Sequence, residues 1–327
     1  MSKVTTSFSE LSDVSRLLLE AELTPVQGQR FQPTGFPNLG AANYILPDGT
    51  EMLLVESAQS MANRLEAVCW DDVGEDLVAE LQGMPYVRVV DKNSNLITNS
   101  ILEAHRLNSP YILEGKDKSF FDKLKEETGS LDFGAVNIRE VAKVVLRYDP
   151  SSVLHGVFFS KKDLAGGRLR LLRLLSAFVE AKGVKPAESG GVKIDHVSPQ
   201  KSASYQQEKD NYKGFANVIY HRTEYVAKSI TAYFSLDLVS LRNYNLGAEV
   251  EEFFTALSLW KIKRFLSTGL RFRTACDLAA KELTATNPDG WTIPSDEELL
   301  ASIEQGMKYC QENGLFAKPP ITEVVWE

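Results

Sequence analysis

A buried strand that runs straight into an amphipathic helix limits this chain to folds in which helices pack against a sheet. The stretch from Met52 to Ser57, MLLVES, is apolar and predicts a buried β-strand. Ser57 occupies the position of a helix N-cap. The apolar residues that follow recur at helical spacing and form a stripe along one face of the predicted helix. The polar residues outside this stripe are Gln59, Ser60, Asn63 and Arg64.

The remaining elements interleave helices and strands. Helices are predicted from Asn137 to Arg147, from Gly167 to about Lys182, from Phe253 to Leu266 and from Ser295 to Asn313, and a capped segment from Ser100 ends before Pro110. Buried strands are predicted at 153–159, 215–220 and 229–239. Because some strands follow each other directly, the predicted class is α+β with a largely antiparallel sheet. No clean domain boundary is visible.

Composition excludes several classes of protein. The 327 residues are 43% hydrophobic and 24% charged, as in globular proteins. No apolar run approaches the ~18 residues of a membrane helix, and the N-terminus lacks the pattern of a signal peptide. Cys69, Cys276 and Cys310 are far apart, which argues against a disulfide framework or a zinc site. We therefore expect a cytoplasmic protein.

The charge pattern leaves nucleic-acid binding open. A net charge of −8 argues against a phosphate binder, but the charges are sorted. Glu66 to Glu80 holds six acids and no base, Phe253 to Cys276 five bases and no acid, and Val153 to Leu174 five bases and one acid. Such sorting permits a basic groove on an acidic protein, although ordinary solvated faces would give similar runs.

Two basic clusters are candidate phosphate sites. Arg168, Arg170 and Arg173 follow Gly166-Gly167 at the predicted helix start, where free backbone N–H groups bind phosphate. Surface arginines on an amphipathic helix are the alternative. Arg271 and Arg273 alternate with Leu270 and Phe272, so an extended segment would place both arginines on one side. That side is either an RNA contact or the solvent-exposed face of an edge strand.

Signatures of catalysis are missing from the sequence. His105, His155, His196 and His221 are widely separated and form no metal-binding motif. His105 and His155 remain candidates for base stacking or for acid–base work in RNA cleavage, and Asp195-His196 is a weaker one. No P-loop, GxGxxG or GxSxG motif occurs. We expect a binding protein with neither a cofactor nor a metal.

Several stretches resemble a known family. The segment 17–71, LLLEAELTPVQGQRFQPTGFPNLGAANYILPDGTEMLLVESAQSMANRLEAVCWD, resembles the N-terminal part of RAMP-superfamily backbone proteins of type I-G (formerly I-U) CRISPR systems. TNSILEAHRLNSPYI, VLHGVFFSKKDLAGGRLRLLR and STGLRFRTACDL are similar to the same family, so that the resemblance covers most of the chain.

The resemblance implies a single RRM-like, ferredoxin-type domain with large insertions. One insertion, within 84–135 or 184–213, would form a projecting thumb. It further implies a Cascade subunit that stacks on copies of itself along a CRISPR RNA and leaves guide bases free to pair with target DNA. A large subunit and a guide-processing subunit would be further partners.

RNA-binding roles follow from the resemblance for residues in the matching motifs. These are Arg30, Phe31 and Gln32 in the first loop, Ser57, Gln59, Ser60, Asn63 and Arg64 at the helix start, and, further along, His105, Arg106, His155, Arg168, Arg170, Arg271 and Arg273. The alternative is a RAMP-fold endoribonuclease that processes precursor RNA with His155 or His105. No loop aspartate can be placed as the catalytic residue of an RNA-targeting backbone.

Overall fold

The structure, a computed structural model, describes residues 7–36, 40–131, 133–194, 217–268 and 270–327. Its strands are β1 (Arg16–Pro25), β2 (Gly35–Phe36), β3 (Gly40–Ala41), β4 (Asn43–Ile45), β5 (Glu51–Glu56), β6 (Trp70–Asp71), β7 (Asp76–Leu77), β8 (Tyr86–Val90), β9 (Leu96–Asn99), β10 (Val157–Phe158), β11 (Arg170–Leu171), β12 (Leu175–Lys182), β13 (Lys185–Ile194), β14 (Asn217–Val226), β15 (Ser229–Asp237), β16 (Leu270–Arg273), β17 (Cys276–Asn287) and β18 (Ile321–Val325). The helices are α1 (Ala58–Ala67), α2 (Pro110–Leu113), α3 (Ser119–Thr128), α4 (Ile138–Tyr148), α5 (Pro150–His155), α6 (Leu238–Asn243), α7 (Ala248–Ser267) and α8 (Asp296–Glu312).

The main sheet has the topology of a ferredoxin-type fold. Its seven strands lie in the order β16-β17-β1-β15-β12-β5-β4, and every pairing is antiparallel. Along the chain, β1, α1, β12, β15, α7 and β17 form a βαββαβ series whose four strands stand in the sheet as fourth, first, third, second. This confirms the predicted α+β class with an RRM-like core.

Alternating apolar residues bury one face of this sheet. In β1 the buried residues are Leu17, Leu19, Ala21 and Leu23, and β15 repeats the pattern. Helices α1 and α7 pack on that face. Ser57 caps α1 by accepting a hydrogen bond from the Ser60 backbone N–H at 3.3 Å, as predicted. The predicted helices at 137–147, 253–266 and 295–313 are likewise confirmed as α4, α7 and α8.

Two long insertions interrupt the core series between its strands. The first runs from α1 to β12 and contributes β8 and β9, which form a three-stranded sheet with β18 from the C-terminal part of the chain, β18 being parallel to β8. The second is the β13–β14 hairpin. The segment 84–135 lies in the first insertion, whereas most of the 184–213 candidate for the thumb, and Asp195-His196, lie outside the described residues. Which insertion is the thumb stays a prediction.

The predicted helix from Gly167 to Lys182 is wrong. The chain forms β11 and then β12 there, with Leu175, Ala177, Val179 and Ala181 buried in strict alternation. Phe178 points to the other side of the sheet and stacks on Tyr233, with 5.1 Å between ring centroids. A short apolar run is compatible with the period of a helix and with that of a strand, and here the pairing with β15 and β5 makes it a strand.

Two smaller predictions are also wrong. The stretch 153–159 is not one strand, because Asp149 caps the short helix α5 with Pro150 at its first position, and β10 begins only after Gly156. The segment from Ser100 to Pro110 is mostly turns with a 3₁₀ helix at Arg106–Asn108, and Pro110 starts α2. In both places a proline occupies the first position of a helix.

Within the described ranges, no helix combines the length and apolarity required to cross a bilayer.

Candidate nucleic-acid interface

A cleft of about 850 Å³ opens between the start of α1, the segment 104–108 and the β10–β11 ribbon. Five of its lining residues carry basic or imidazole side chains, namely His105, Arg106, His155, Arg170 and Arg173, and none of the described residues that line it is acidic. On a protein of net charge −8 this is a marked local excess of positive charge. Apolar surface is supplied by Phe158 and Leu172.

Arg173 joins the ribbon side of the cleft to helix α1. Its Nη1 donates to the backbone carbonyl of Ala58 at 2.9 Å, and its Nη2 donates to Oε1 of Gln59 at 2.9 Å. Its Nε is buried and has no hydrogen-bond partner among the described residues. Arg173 therefore orients Gln59 and retains one unsatisfied donor beside the cleft.

A buried ion pair holds the segment 104–108 in place. Arg106 donates through Nε and Nη2 to the two carboxylate oxygens of Glu66, at 2.6 and 2.7 Å, and through Nη1 to the carbonyl of Gly156 at 3.2 Å. Both side chains of the pair are buried. This bidentate geometry keeps Arg106 at a positive φ of 53° and places the exposed His105 at the rim of the cleft.

His155 forms part of the floor of the cleft and is only 2% exposed. Its Nε2 lies 3.2 Å from Nζ of the fully buried Lys261, which also donates to Ser151 Oγ at 2.6 Å. Burial and the positive charges of Lys261, Arg106 and Arg173 hold the pKa of His155 well below its usual value. The ring is therefore neutral near pH 7 and accepts from Lys261, so the hydrogen sits on Nδ1, which has no partner among the described residues.

Arg168 and Arg170, which the sequence grouped together, have different surroundings. Arg168 donates to the carbonyls of Ala165, Gly134 and Leu131, so it ties its own turn to the chain at Leu131 and Gly134. Arg170 is exposed, and within the described chain its guanidinium has neither a hydrogen bond nor an ion pair. Since no α-helix begins at Arg168, the dipole argument for these arginines fails.

A second group of predicted residues meets where the first loop, α1 and β16 converge. The buried carboxylate of Glu56 accepts from Arg64 Nη2 at 3.3 Å and also from Arg273. Arg273 donates further to the carbonyl of Gln32 at 3.2 Å, and the Arg64 guanidinium lies 4.8 Å from the centroid of the Phe272 ring. Two guanidinium groups share one carboxylate, so this cluster keeps a net positive charge.

The same arrangement recurs at the base of the hairpin. Glu224 accepts from Arg30 at 3.0 Å and from Arg222 at 2.6 Å, again two guanidinium groups on one buried carboxylate. The ring of Phe31 is buried, and its backbone pairs with Tyr225 through N–H···O bonds of 2.9 and 2.8 Å. This loop is therefore a structural connection between hairpin and sheet.

The remaining predicted residues border these two groups. Ser60 and Asn63 lie on the outer face of α1, partly buried and exposed respectively, and Arg271 is exposed on β16. The structure thus brings Gln59, His105, Arg106, His155 and Arg170 into one cleft and Arg30, Phe31, Gln32, Arg64 and Arg273 into a second region. Helix α1 runs between the two.

Sequence reasoning missed four important residues. Glu66 and Lys261 were hidden because a charged residue inside an apolar helical pattern gives no sign that it is buried. Phe158 and Leu172 belong to runs that predict apolar core, yet they are 53% and 63% exposed. Only the pairing of β10 with β11 reveals which side of each short strand faces water.

Nothing in the described ranges groups three or more His, Cys, Asp or Glu side chains in a way that could hold a metal ion.

The chain thus combines an RRM-like fold with a basic cleft in which none of the described lining residues is acidic, a charge pattern that suits a polyanion such as nucleic acid. A family model, CRISPR-associated protein GSU0053 (Cas_GSU0053), matches residues 17–186, just over half of the chain. The chain belongs to this CRISPR-associated family, as the resemblance predicted; the type I-G assignment stays a prediction.

Other comparisons add little. The search of curated proteins finds no match. One solved structure, "CRISPR RNA-guided surveillance complex, pre-nicking", is 14% identical with a TM-score of 0.42, covering 91% of this chain and 87% of that one. Another, "CRISPR RNA-guided surveillance complex", is 11% identical with a TM-score of 0.36, covering 91% and 83%. These values are too low to transfer a role to this chain.

Proposed function

We propose that this chain is a backbone subunit of a Cascade-type CRISPR surveillance complex that binds the guide RNA and oligomerises along it. The acid-free cleft carries this proposal. Clustered positive charges attract phosphate groups, and the exposed guanidinium of Arg170, which has no partner among the described residues, can donate to the phosphate oxygens. Membership of a CRISPR-associated family names the RNA that such a site would hold.

The outer face of α1 gives the RNA a path. Gln59 borders the cleft and Arg64 belongs to the Glu56 cluster, and five residues of helix separate them by about 7.5 Å along the axis. That is roughly one nucleotide step of an extended strand. Copies of the chain, the large subunit, the guide-processing subunit and target DNA are the partners that this function requires, inside the cytoplasm.

We further propose that the subunit binds without catalysing a reaction. His155, the best candidate for a general acid or base, is neutral, buried and engaged by Lys261. The His105 ring has no hydrogen-bonded partner in the described residues that would orient it for proton transfer. Incubation with repeat-containing precursor RNA tests this proposal: protection without cleavage is expected, and cleavage that disappears in His105→Ala would instead support the endoribonuclease.

The binding proposal is tested by the salt dependence of RNA affinity in two matched variants. In Arg170→Ala we expect weaker binding and a slope of log K against log salt that is smaller by about 0.7, the value for one phosphate contact on a single strand. Arg168→Ala removes the same charge two residues away, but Arg168 is held by backbone carbonyls. It should lower the melting temperature and leave the slope unchanged. Equal slopes in all three proteins would contradict phosphate binding in the cleft.

A further inference from the structure

The β10–β11 ribbon presents an aromatic ring beside a guanidinium that has no partner among the described residues. Phe158 and Arg170 are directly opposite each other in the antiparallel register. Such cross-strand neighbours lie on one face, with Cβ atoms about 5 Å apart. Phe158 is 53% exposed, its ring meets no other aromatic ring in the described chain, and it lines the cleft together with Leu172. A large apolar ring is thus left in water in a basic cleft.

The ribbon that carries this pair is held rigidly at both ends. Gly156 (φ 80°) approaches the backbone of Leu171 and Arg173 so closely that a Cβ there would lie 2.9 Å from their atoms. Gly167 (φ 71°) approaches the Ser160 carbonyl in the same way. The Ser160 backbone N–H also donates to Oδ1 of Asn108 at 3.0 Å. The ring of Phe158 therefore projects from a fixed backbone.

We propose that Phe158, beside Arg170, is a stacking platform for an unpaired nucleobase, so that the cleft selects single-stranded RNA over duplex RNA. The inference rests on the proposed function and adds the form of nucleic acid and the residue that recognises it. A base in single-stranded RNA can leave its neighbours and stack on an aromatic ring, whereas a base inside a duplex cannot. Arg170 would hold the adjacent phosphate.

The test measures the affinity of the full chain for a fluorescein-labelled 12-nucleotide single strand, for the corresponding duplex and for heparin. Phe158→Ala should weaken single-strand binding about tenfold, with an unchanged salt slope and unchanged heparin affinity. Phe158→Trp should restore the affinity, because tryptophan also stacks. Phe133→Ala, which removes a 95% exposed phenylalanine outside the cleft lining, is the matched control and should have no effect.

Abasic RNA gives an independent readout. A single strand without bases should bind the wild-type protein as weakly as normal RNA binds Phe158→Ala, and the substitution should not weaken abasic binding further. The platform is wrong if Phe158→Ala keeps full single-strand affinity while Arg170→Ala loses it, an outcome that leaves the proposed function intact. It is also wrong if heparin binding falls equally. If the wild-type protein binds no RNA at low salt, the proposed function itself fails.

Discussion

At the scale of single residues, the floor of the cleft combines groups that are costly to bury. Lys261 is fully buried, and its neighbours include His155, while Glu66 and Asp149 contribute negative charge nearby. Removing one member of such a network leaves the others unpaired. The protein retains this arrangement directly beneath its basic cleft, where it fixes the orientation of the His155 ring and, through Glu66, of Arg106.

The lowered pKa of His155 predicts acid sensitivity. The unfolded chain protonates this histidine near its ordinary value of 6.5, while the folded chain resists protonation because of burial and of Lys261, Arg106 and Arg173. Below about pH 6.5 the unfolded state therefore binds more protons, and the free energy of unfolding falls by up to about 1.4 kcal/mol per pH unit.

Denaturant unfolding of the wild type and of His155→Gln, measured between pH 5 and 8 at intervals of about half a pH unit, isolates the contribution of His155 protonation to the free energy of unfolding. The buried carboxylates are common to both proteins, so their contributions cancel in the difference. The wild type should lose more stability than the variant as the pH falls. Parallel stability curves would show that His155 is protonated in the folded state as readily as in the unfolded one.

At the scale of secondary-structure elements, the β10–β11 ribbon is the part that shapes the cleft. Its two strands have only two residues each, too few to be stable through their own hydrogen bonds. The ribbon is held instead by the close approach of Gly156 to the chain at 171–173 and by the Arg106 bond to the Gly156 carbonyl.

Gly156→Ala should therefore damage both stability and binding. Alanine would be strained at φ 80° and its Cβ would collide with backbone atoms, at a cost of about 1–3 kcal/mol. The melting temperature and RNA affinity should fall together. Gly129→Ala is the control, because Gly129 has φ −58° and a Cβ added there would meet no atom within 4 Å, so it should keep or slightly raise the melting temperature. An unaffected Gly156→Ala would mean that the ribbon can move.

At the scale of the whole molecule, opposite charges are separated on an acidic protein. The basic cleft and the two arginine-rich carboxylate clusters contrast with the segment 71–80, whose acids are mostly exposed, and with α8, which has three acidic residues in its first turn. A subunit with distinct acidic and basic surfaces is suited to head-to-tail association. Such association gives an open filament when the rotation from one subunit to the next does not close a ring.

Assembly on RNA should follow the length of the strand. Light scattering of purified protein with single-stranded RNAs of increasing length should give masses that rise stepwise, and the assemblies should dissociate as salt increases. A duplex of the same length serves as the control for charge alone. A complex of constant mass on every RNA would contradict oligomerisation along the guide, although it would be compatible with RNA binding by a single subunit.

The residues that control local structure also made their elements predictable. Ser57, Asn137 and Ser295 cap helices where the sequence placed them, because a cap depends on backbone groups within one turn. The α+β class followed from the order of elements, and Arg271 and Arg273 are on a strand as expected. The family assignment also came from the sequence, because the family model matches the long stretch 17–186.

Tertiary structure alone decided how those elements are used. The run 175–182 suits either a helix or a strand, and only its neighbours β15 and β5 make it a strand. Arg168 and Arg170 have the same side chain, yet packing ties one to carbonyl groups and leaves the other exposed in the cleft. Burial of Lys261 and exposure of Phe158 arise from contacts between segments that are distant in sequence, and local patterns contain no record of those contacts.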